Sequence, residues 1–383
     1  MELRGTANAG RAAPQPKRTQ RSGRPVQAGQ PSQTERPVQV DRPDQQDQPD
    51  QQDQPGQLSQ PGQLSPPGSR PRWPRARRGL LAALITGALV APISAAATHP
   101  EIPAPAPAHT GTLTPTTLDS AYAANRVNAA EAARMAAAHG DRSRAAAVRS
   151  MADPSRHFLT FDARGSGRAA EVFGDLAKAD HVAVLVPGSD TSLDTYDRFR
   201  AGALALQKRL GPRAAVIAWL GYETLGTISA DVLTTGLAKE AAPELREFIR
   251  ELRRVNGHAR LTLLCHSYGT VVGARAASGL DISEMVLIGS PGTGVDSAAG
   301  LHTKARVWAG RGGDDWIADV PHTRADLFGT TVGFGTDPVS PAFGAHVFAA
   351  GAGGHSDYLK PGSVSLANIA RIVLGKTPEM THG

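Results

Sequence analysis

The chain has 383 residues, long enough for two or three folded units, with 41 Lys plus Arg against 35 Asp plus Glu, a net charge of +6 and a single cysteine. Residues 1–78 hold 13 of the basic and 7 of the acidic residues, so this stretch carries the whole net charge, and the remaining 28 of each sign cancel. A neutral remainder argues against a nucleic-acid surface; one cysteine rules out an internal disulfide, and histidines without His-x-x-x-His or cysteine pairing suggest neither metal nor cofactor.

Residues 1–78 are filled with Gln, Pro, Asp, Gly and Arg and hold almost no aromatic or β-branched residues. Such a composition buries too little apolar surface to offset chain entropy, so a disordered tail is expected. Within it the hexapeptide P-D-Q-Q-D-Q recurs at 43–48 and 49–54, and P-G-Q-L-S at 55–59 and 61–65. That period is too short for a solenoid unit.

The Arg cluster at 70, 72, 75, 77 and 78 is followed by an uncharged apolar stretch, residues 79–97, which ends in Ala95-Ala96-Ala97. A basic flank, an apolar centre and a small-residue end are the parts of an export signal, and Arg77-Arg78-Gly79-Leu80-Leu81 resembles the twin-arginine type. The other reading is an uncleaved membrane anchor, short and weakened by Pro92. Either way the rest of the chain is expected outside the cytoplasm, at the membrane or cell envelope. Residues 1–78 are then either a cytoplasmic tail or sequence upstream of the true start. Residues 98–116, rich in Pro, Ala and Thr, predict a stiff extended linker that holds a domain off its anchor.

Residues 117–154 are Ala-rich with Arg and Glu at helical spacing, broken at Gly140-Asp141, which predicts a helical hairpin. R-H-F-L-T-F-D-A-R-G and R-A-A-E-V-F-G-D, separated by a Gly-Ser-Gly turn, then predict a β-hairpin at an antiparallel sheet edge. From residue 181 apolar runs alternate with helices, the pattern of a mostly parallel sheet covered on both faces. The runs lie at 181–188, 214–220, 259–266, 284–289, 305–310 and 346–351, and the helices at 192–210, 237–255, 268–279 and 364–374. Residues 376–383 are expected to be a flexible end.

Functional residues of a parallel sheet gather at the C-terminal ends of its strands. The run L-T-L-L-C-H-S-Y-G places Ser267 at a tight strand-to-helix turn, Asp314-Asp315 follow the fifth run, and His355 follows the sixth. The order Ser, Asp, His is that of one class of serine hydrolase, in which the histidine takes the serine proton and the carboxylate orients the histidine. His266 adjoins Ser267 but is a poor base, because neighbours on a strand point to opposite faces. Backbone N–H groups of Tyr268 and of Ser189 or Asp190, in the loop after V-L-V-P-G, are candidates for an oxyanion hole. Asp190 or Ser192 could equally cap the next helix. Trp219-Leu220-Gly221-Tyr222 ends another strand and is expected to line the pocket wall. Ser290-Pro291-Gly292-Thr293-Gly294 lacks the lysine of a phosphate loop and the spacing of a dinucleotide fold.

The segments D-H-V-A-V-L-V-P-G-S, L-L-C-H-S-Y-G-T, V-L-I-G-S-P-G-T-G-V, G-G-D-D-W-I and G-G-H-S-D-Y-L carry a resemblance that covers residues 155–375. This part resembles the α/β-hydrolases, in particular an actinobacterial family of uncharacterised function. The resemblance implies an α/β-hydrolase fold and a serine hydrolase with Ser267, Asp315 and His355 as its triad. It favours Asp315 over Asp314 because Asp315-Trp316-Ile317 supplies the D-x-I pattern. One departure is Cys265 where the general elbow motif has Gly; a small, buried, inert side chain is expected there. The substrate class expected is a small-molecule or lipid carboxylic ester. An acyltransferase using the same triad is the nearest alternative, and a non-catalytic lipid- or partner-binding envelope protein on this scaffold is the alternative of a different class.

Overall fold

In the computed structural model, residues 102–224, 236–320, 325–327, 330–332 and 334–381 are described. The low-complexity tail of residues 1–78 and the apolar stretch of residues 79–97 lie outside them.

Eight strands form one sheet. They are β1 (His157–Asp162), β2 (Arg168–Phe173), β3 (His181–Val186), β4 (Ala214–Leu220), β5 (Arg260–His266), β6 (Glu284–Ile288), β7 (Arg306–Gly310) and, after a separate hairpin of β8 (Ala325–Leu327) and β9 (Thr330–Val332), β10 (His346–Val347). Their order is β1-β2-β4-β3-β5-β6-β7-β10. The β1–β2 and β2–β4 pairs are antiparallel and all others parallel, as the hairpin followed by alternating runs and helices predicts. The central strands are buried on both faces, which is why they read as unbroken apolar runs rather than as an alternation.

Helices α1 (Leu118–His139) and α2 (Arg142–Met151) precede the sheet, separated by Gly140 in the left-handed region at φ 95°. The Asp141 carboxylate caps α2 by accepting the Arg144 N–H. From α1, buried Asn125 donates to the carbonyls of Phe158 and Leu159, where the β1–β2 register shifts. One amide thereby satisfies two carbonyls at the irregular point of the edge pair.

Next come α3 (Tyr196–Leu210), α4 (Gly236–Val255), α5 (Gly269–Ala276) and α6 (Val364–Val373). In α4 the buried residues Ala238, Ala241, Ala242, Leu245, Phe248, Ile249, Leu252 and Val255 form one stripe at helical spacing. That stripe and α5 pack on one face of the sheet against Val182, Val184, Leu263 and Cys265. On the other face α3 and α6 pack against Ala183, Leu185 and Leu264. Strand alternation therefore sends Cys265 to the α4/α5 face and leaves His266 toward the α3/α6 face.

Three expectations are corrected. The sixth run does not continue as a strand through residue 351: only His346–Val347 pair with β7, after which Ala349 N–H donates to the Glu379 carbonyl and Phe348 bridges Met380. The C-terminal residues, expected to be flexible, are tied to the sheet edge by these same bonds as far as Thr381. The Pro/Ala/Thr segment is not a free spacer over its described part. Leu113 is buried in the α4-side core, and Asn128 on α1 donates to the Ala106 carbonyl at 2.6 Å.

Candidate active site

The sequence L-L-C-H-S-Y-G-T turns sharply because β5 runs straight into α5. Ser267, at the corner, has φ 54°, a left-handed conformation that a non-glycine residue adopts only when its surroundings enforce it. Two glycines make the corner possible. A Cβ on Gly269 would stand 2.4 Å from the Pro187 carbonyl oxygen and 2.6 Å from that of Val186, both rigid backbone. A Cβ on Gly188 would stand 2.6 Å from the Cβ of Ser267. The loop after β3 is thus pressed directly against the serine.

His355 and Asp315 reach this corner from the loops that follow β10 and β7. His355 Nε2 lies 2.9 Å from Ser267 Oγ, and Nδ1 lies 2.8 Å from Asp315 Oδ1. A carboxylate only accepts, so Nδ1 carries the proton in the neutral ring and Nε2 is left to accept the serine hydroxyl. Asp315 is buried; Asp314, its neighbour, is exposed. Burial alone would raise the Asp315 carboxyl, but bonds from His355, Tyr358 and the Ile317 N–H outweigh it and hold Asp315 below the usual carboxylate range. Asp315 also caps the 3-10 turn Trp316–Asp319 through that Ile317 bond, which fixes its rotamer.

Two further side chains hold this pair: Tyr358, which the sequence does not single out, and His266, which the sequence marks only as a poor base. The Tyr358 hydroxyl donates to Asp315 Oδ2 and accepts the Gly312 N–H at 3.1 Å. Burial, then its bond to Asp315, pushes the Tyr358 phenol up and keeps it protonated. His266 does not approach Ser267 as a base; its Nε2 lies 2.8 Å from the backbone carbonyl of His355. The only available signals were the Tyr in G-G-H-S-D-Y and a His next to the nucleophile, and neither says what it faces.

Cys265 is fully buried, and burial pushes its thiol up. A Cβ on Gly273 of α5 would stand 2.4 Å from its sulfur, so Gly273 supplies the room that Cys265 occupies. The elbow remains tight with Cys in place of Gly because the helix one turn on is also glycine.

Of the candidate oxyanion donors, Tyr268 occupies the N-cap position of α5 immediately after Ser267, and its hydroxyl accepts the Ala238 N–H. Ser189 and Asp190 follow Gly188, Asp190 at φ 62° with its carbonyl accepting from Thr195 Oγ1. Neither Asp190 nor Ser192 caps α3, whose N-cap position is Thr195. Trp219 and Tyr222, expected to line the pocket wall, are both buried. Trp219 packs on Phe248 and borders a separate cavity of about 300 Å³ between α4 and residues 107–110. Tyr222 turns its hydroxyl to the Pro187 carbonyl at 2.6 Å and so braces the loop that touches Ser267.

The family model described as alpha/beta hydrolase matches residues 162–325. An uncharacterized protein of Mycobacterium bovis is 31% identical over 186 residues, covering 43% of this chain and 70% of that protein. A longer uncharacterized protein of Mycobacterium tuberculosis is 32% identical over 249 residues, covering 55% of this chain and 37% of its own length, so the chain spans about a third of that relative. Solved structures that resemble the chain include the esterase PE8, with TM-score 0.38 and 15% identity over 54% of this chain and 98% of that one. A carboxylesterase from Mesorhizobium loti has TM-score 0.35 and 16% identity over 54% of this chain and 95% of its own. The chain belongs to the alpha/beta hydrolase family.

Proposed function

We propose that the protein is a serine hydrolase that cleaves carboxylic esters through an acyl-enzyme. The observation that carries this reading is the continuous chain Ser267 Oγ, His355 Nε2, His355 Nδ1, Asp315 Oδ1, with both links at 2.8–2.9 Å and the serine at a strained turn. His355 takes the hydroxyl proton as Ser267 Oγ attacks the ester carbonyl carbon. The oxyanion is met by the N–H of Tyr268 and of Ser189 or Asp190. His355 then passes its proton to the departing alkoxide, and water, activated in the same way, releases the acid. Asp315 orients the ring and stabilises the imidazolium.

On this reading the substrate is a small-molecule or lipid ester, and the domain works outside the cytoplasm at the cell envelope. The basic flank and apolar residues 79–97 support that location. The test is hydrolysis of p-nitrophenyl esters of graded acyl length by the full chain, beside Ser267→Ala and His355→Ala, with fluorophosphonate labelling in parallel. Turnover that falls by about 10⁴-fold or more in both variants supports the reading. Wild-type protein that neither turns over nor labels would sink it in favour of a binding scaffold, and acyl transfer to an added alcohol in preference to water would identify an acyltransferase.

A further inference from the structure

Among the large apolar side chains exposed in the described residues, Trp316 is the one aromatic, at 49% exposed. An indole is large and usually buried, so one left half in water and beside a reactive site points to a ligand contact. Trp316 follows Asp315 directly and begins the turn that Asp315 caps, so its backbone is fixed by the same hydrogen bond that fixes the carboxylate. Its ring centroid lies 4.7 Å from that of His355, tilted by 46°. The other ring against His355 is His266, also at 4.7 Å, which is partly buried and held by its bond to the His355 carbonyl. The imidazole therefore touches two rings, one partly buried and held by a hydrogen bond, the other an exposed indole.

The chemistry of ester cleavage assigns the alcohol and acyl parts of a substrate different surroundings. The leaving oxygen must come to His355 Nε2 to receive its proton, so the group attached to that oxygen passes close to the imidazole and to the exposed ring packed on it. The acyl part is attached instead to the carbon bonded to Ser267, on the other side of the scissile bond. We propose that Trp316 is the contact surface for the alcohol portion of the substrate and selects esters whose alcohol is aromatic or extended and apolar. The inference rests on the serine-hydrolase reading and adds to it the class of leaving group.

Its test compares two phosphonates with the same alkyl chain on phosphorus, one leaving as p-nitrophenoxide and one as fluoride. In both, the Ser267 Oγ–P bond forms, the bond from phosphorus to the leaving group breaks, and the serine proton passes to His355. The readout is the ratio of the aryl to the fluoride labelling rate, which cancels any general disturbance of His355. Trp316→Ala is expected to lower that ratio about 10-fold, the scale of one lost apolar contact, and Trp316→Phe to keep it within about 3-fold of wild type. An unchanged ratio in Trp316→Ala, with both reagents still labelling Ser267, would overturn the assignment of Trp316 and leave the hydrolase reading standing. Wild-type protein labelled by neither reagent would overturn both.

Discussion

His266 Nε2 stands 2.8 Å from the backbone carbonyl oxygen of His355, a residue 89 positions further along the chain. A carbonyl only accepts, so His266 carries its proton on Nε2 and donates. The loop that brings His355 to the serine passes through Gly353-Gly354, whose backbone is intrinsically permissive. A directed bond to the His355 carbonyl removes that freedom where placement of the imidazole matters most. His266 is thus a positioning residue that acts through the backbone, while the Asp315 carboxylate acts through the ring.

Loss of this donor should appear in turnover rather than in substrate affinity. His266→Ala is expected to lower kcat by about 10- to 100-fold with little change in KM, the scale of a sub-ångström to 1 Å misplacement of a catalytic group. His266→Gln, whose amide N–H can reach the same carbonyl, should recover most of it. Equal losses in the two variants, or a loss confined to KM, would remove the positioning role.

The same histidine should make stability depend on pH. Burial, then repulsion from His355, depresses the His266 pKa to about 4, against the ordinary value of 6.5; its bond to the His355 carbonyl and the charge of Asp315 oppose this only in part. As pH falls from 6.5 toward 4 the unfolded chain binds the proton first, so stability is full above pH 6.5 and declines through this window. The slope is at most about 1.4 kcal/mol per pH unit. The lowered Asp315 carboxyl acts in the same direction but only below the usual carboxylate range, so the two windows separate. Urea unfolding between pH 4 and 7 should show a steeper decline in wild type than in His266→Gln; parallel curves would contradict it.

Asp315 and Asp314 are neighbours, yet only Asp315 faces His355. Asp315→Asn is expected to reduce kcat by about 10⁴-fold, as loss of the orienting carboxylate does in serine hydrolases, whereas Asp314→Ala should stay within about 3-fold, as for an exposed side chain. Tyr358→Phe should fall between them at about 10-fold, because Asp315 Oδ2 loses one donor of its set. Steady-state kinetics on one p-nitrophenyl ester orders the three, and an Asp314→Ala loss as large as that of Asp315→Asn would reverse the assignment.

Cys265 and Gly273 fill one space. Adding a methyl at Gly273 brings a Cβ to 2.4 Å from the sulfur, so Gly273→Ala should destabilise by about 1–3 kcal/mol. In a Cys265→Gly background most of that loss should disappear, giving a coupling of about 0.5–3 kcal/mol in a double-mutant cycle. Strictly additive losses would show that the two positions do not share the space.

The alternation of buried runs with helices, the antiparallel hairpin at one edge and the strand-to-helix turn at Ser267 are all legible in the chain. Each is a local pattern, set by side-chain period or by turn geometry within a few residues. The sequence also narrowed the histidine and the carboxylate to short loops after strands. The D-x-I pattern of the resemblance favours Asp315 over Asp314, and in the fold burial and the approach of His355 set the two apart physically. Tertiary structure alone turned Trp219 toward α4, tied residues 379–381 to the sheet edge, and gave His266 and Tyr358 their partners. Those contacts join residues 43 and 89 positions apart. No local period encodes such pairings; they exist because parallel β5, β7 and β10 end on the same side of the sheet, where side chains on separate loops meet.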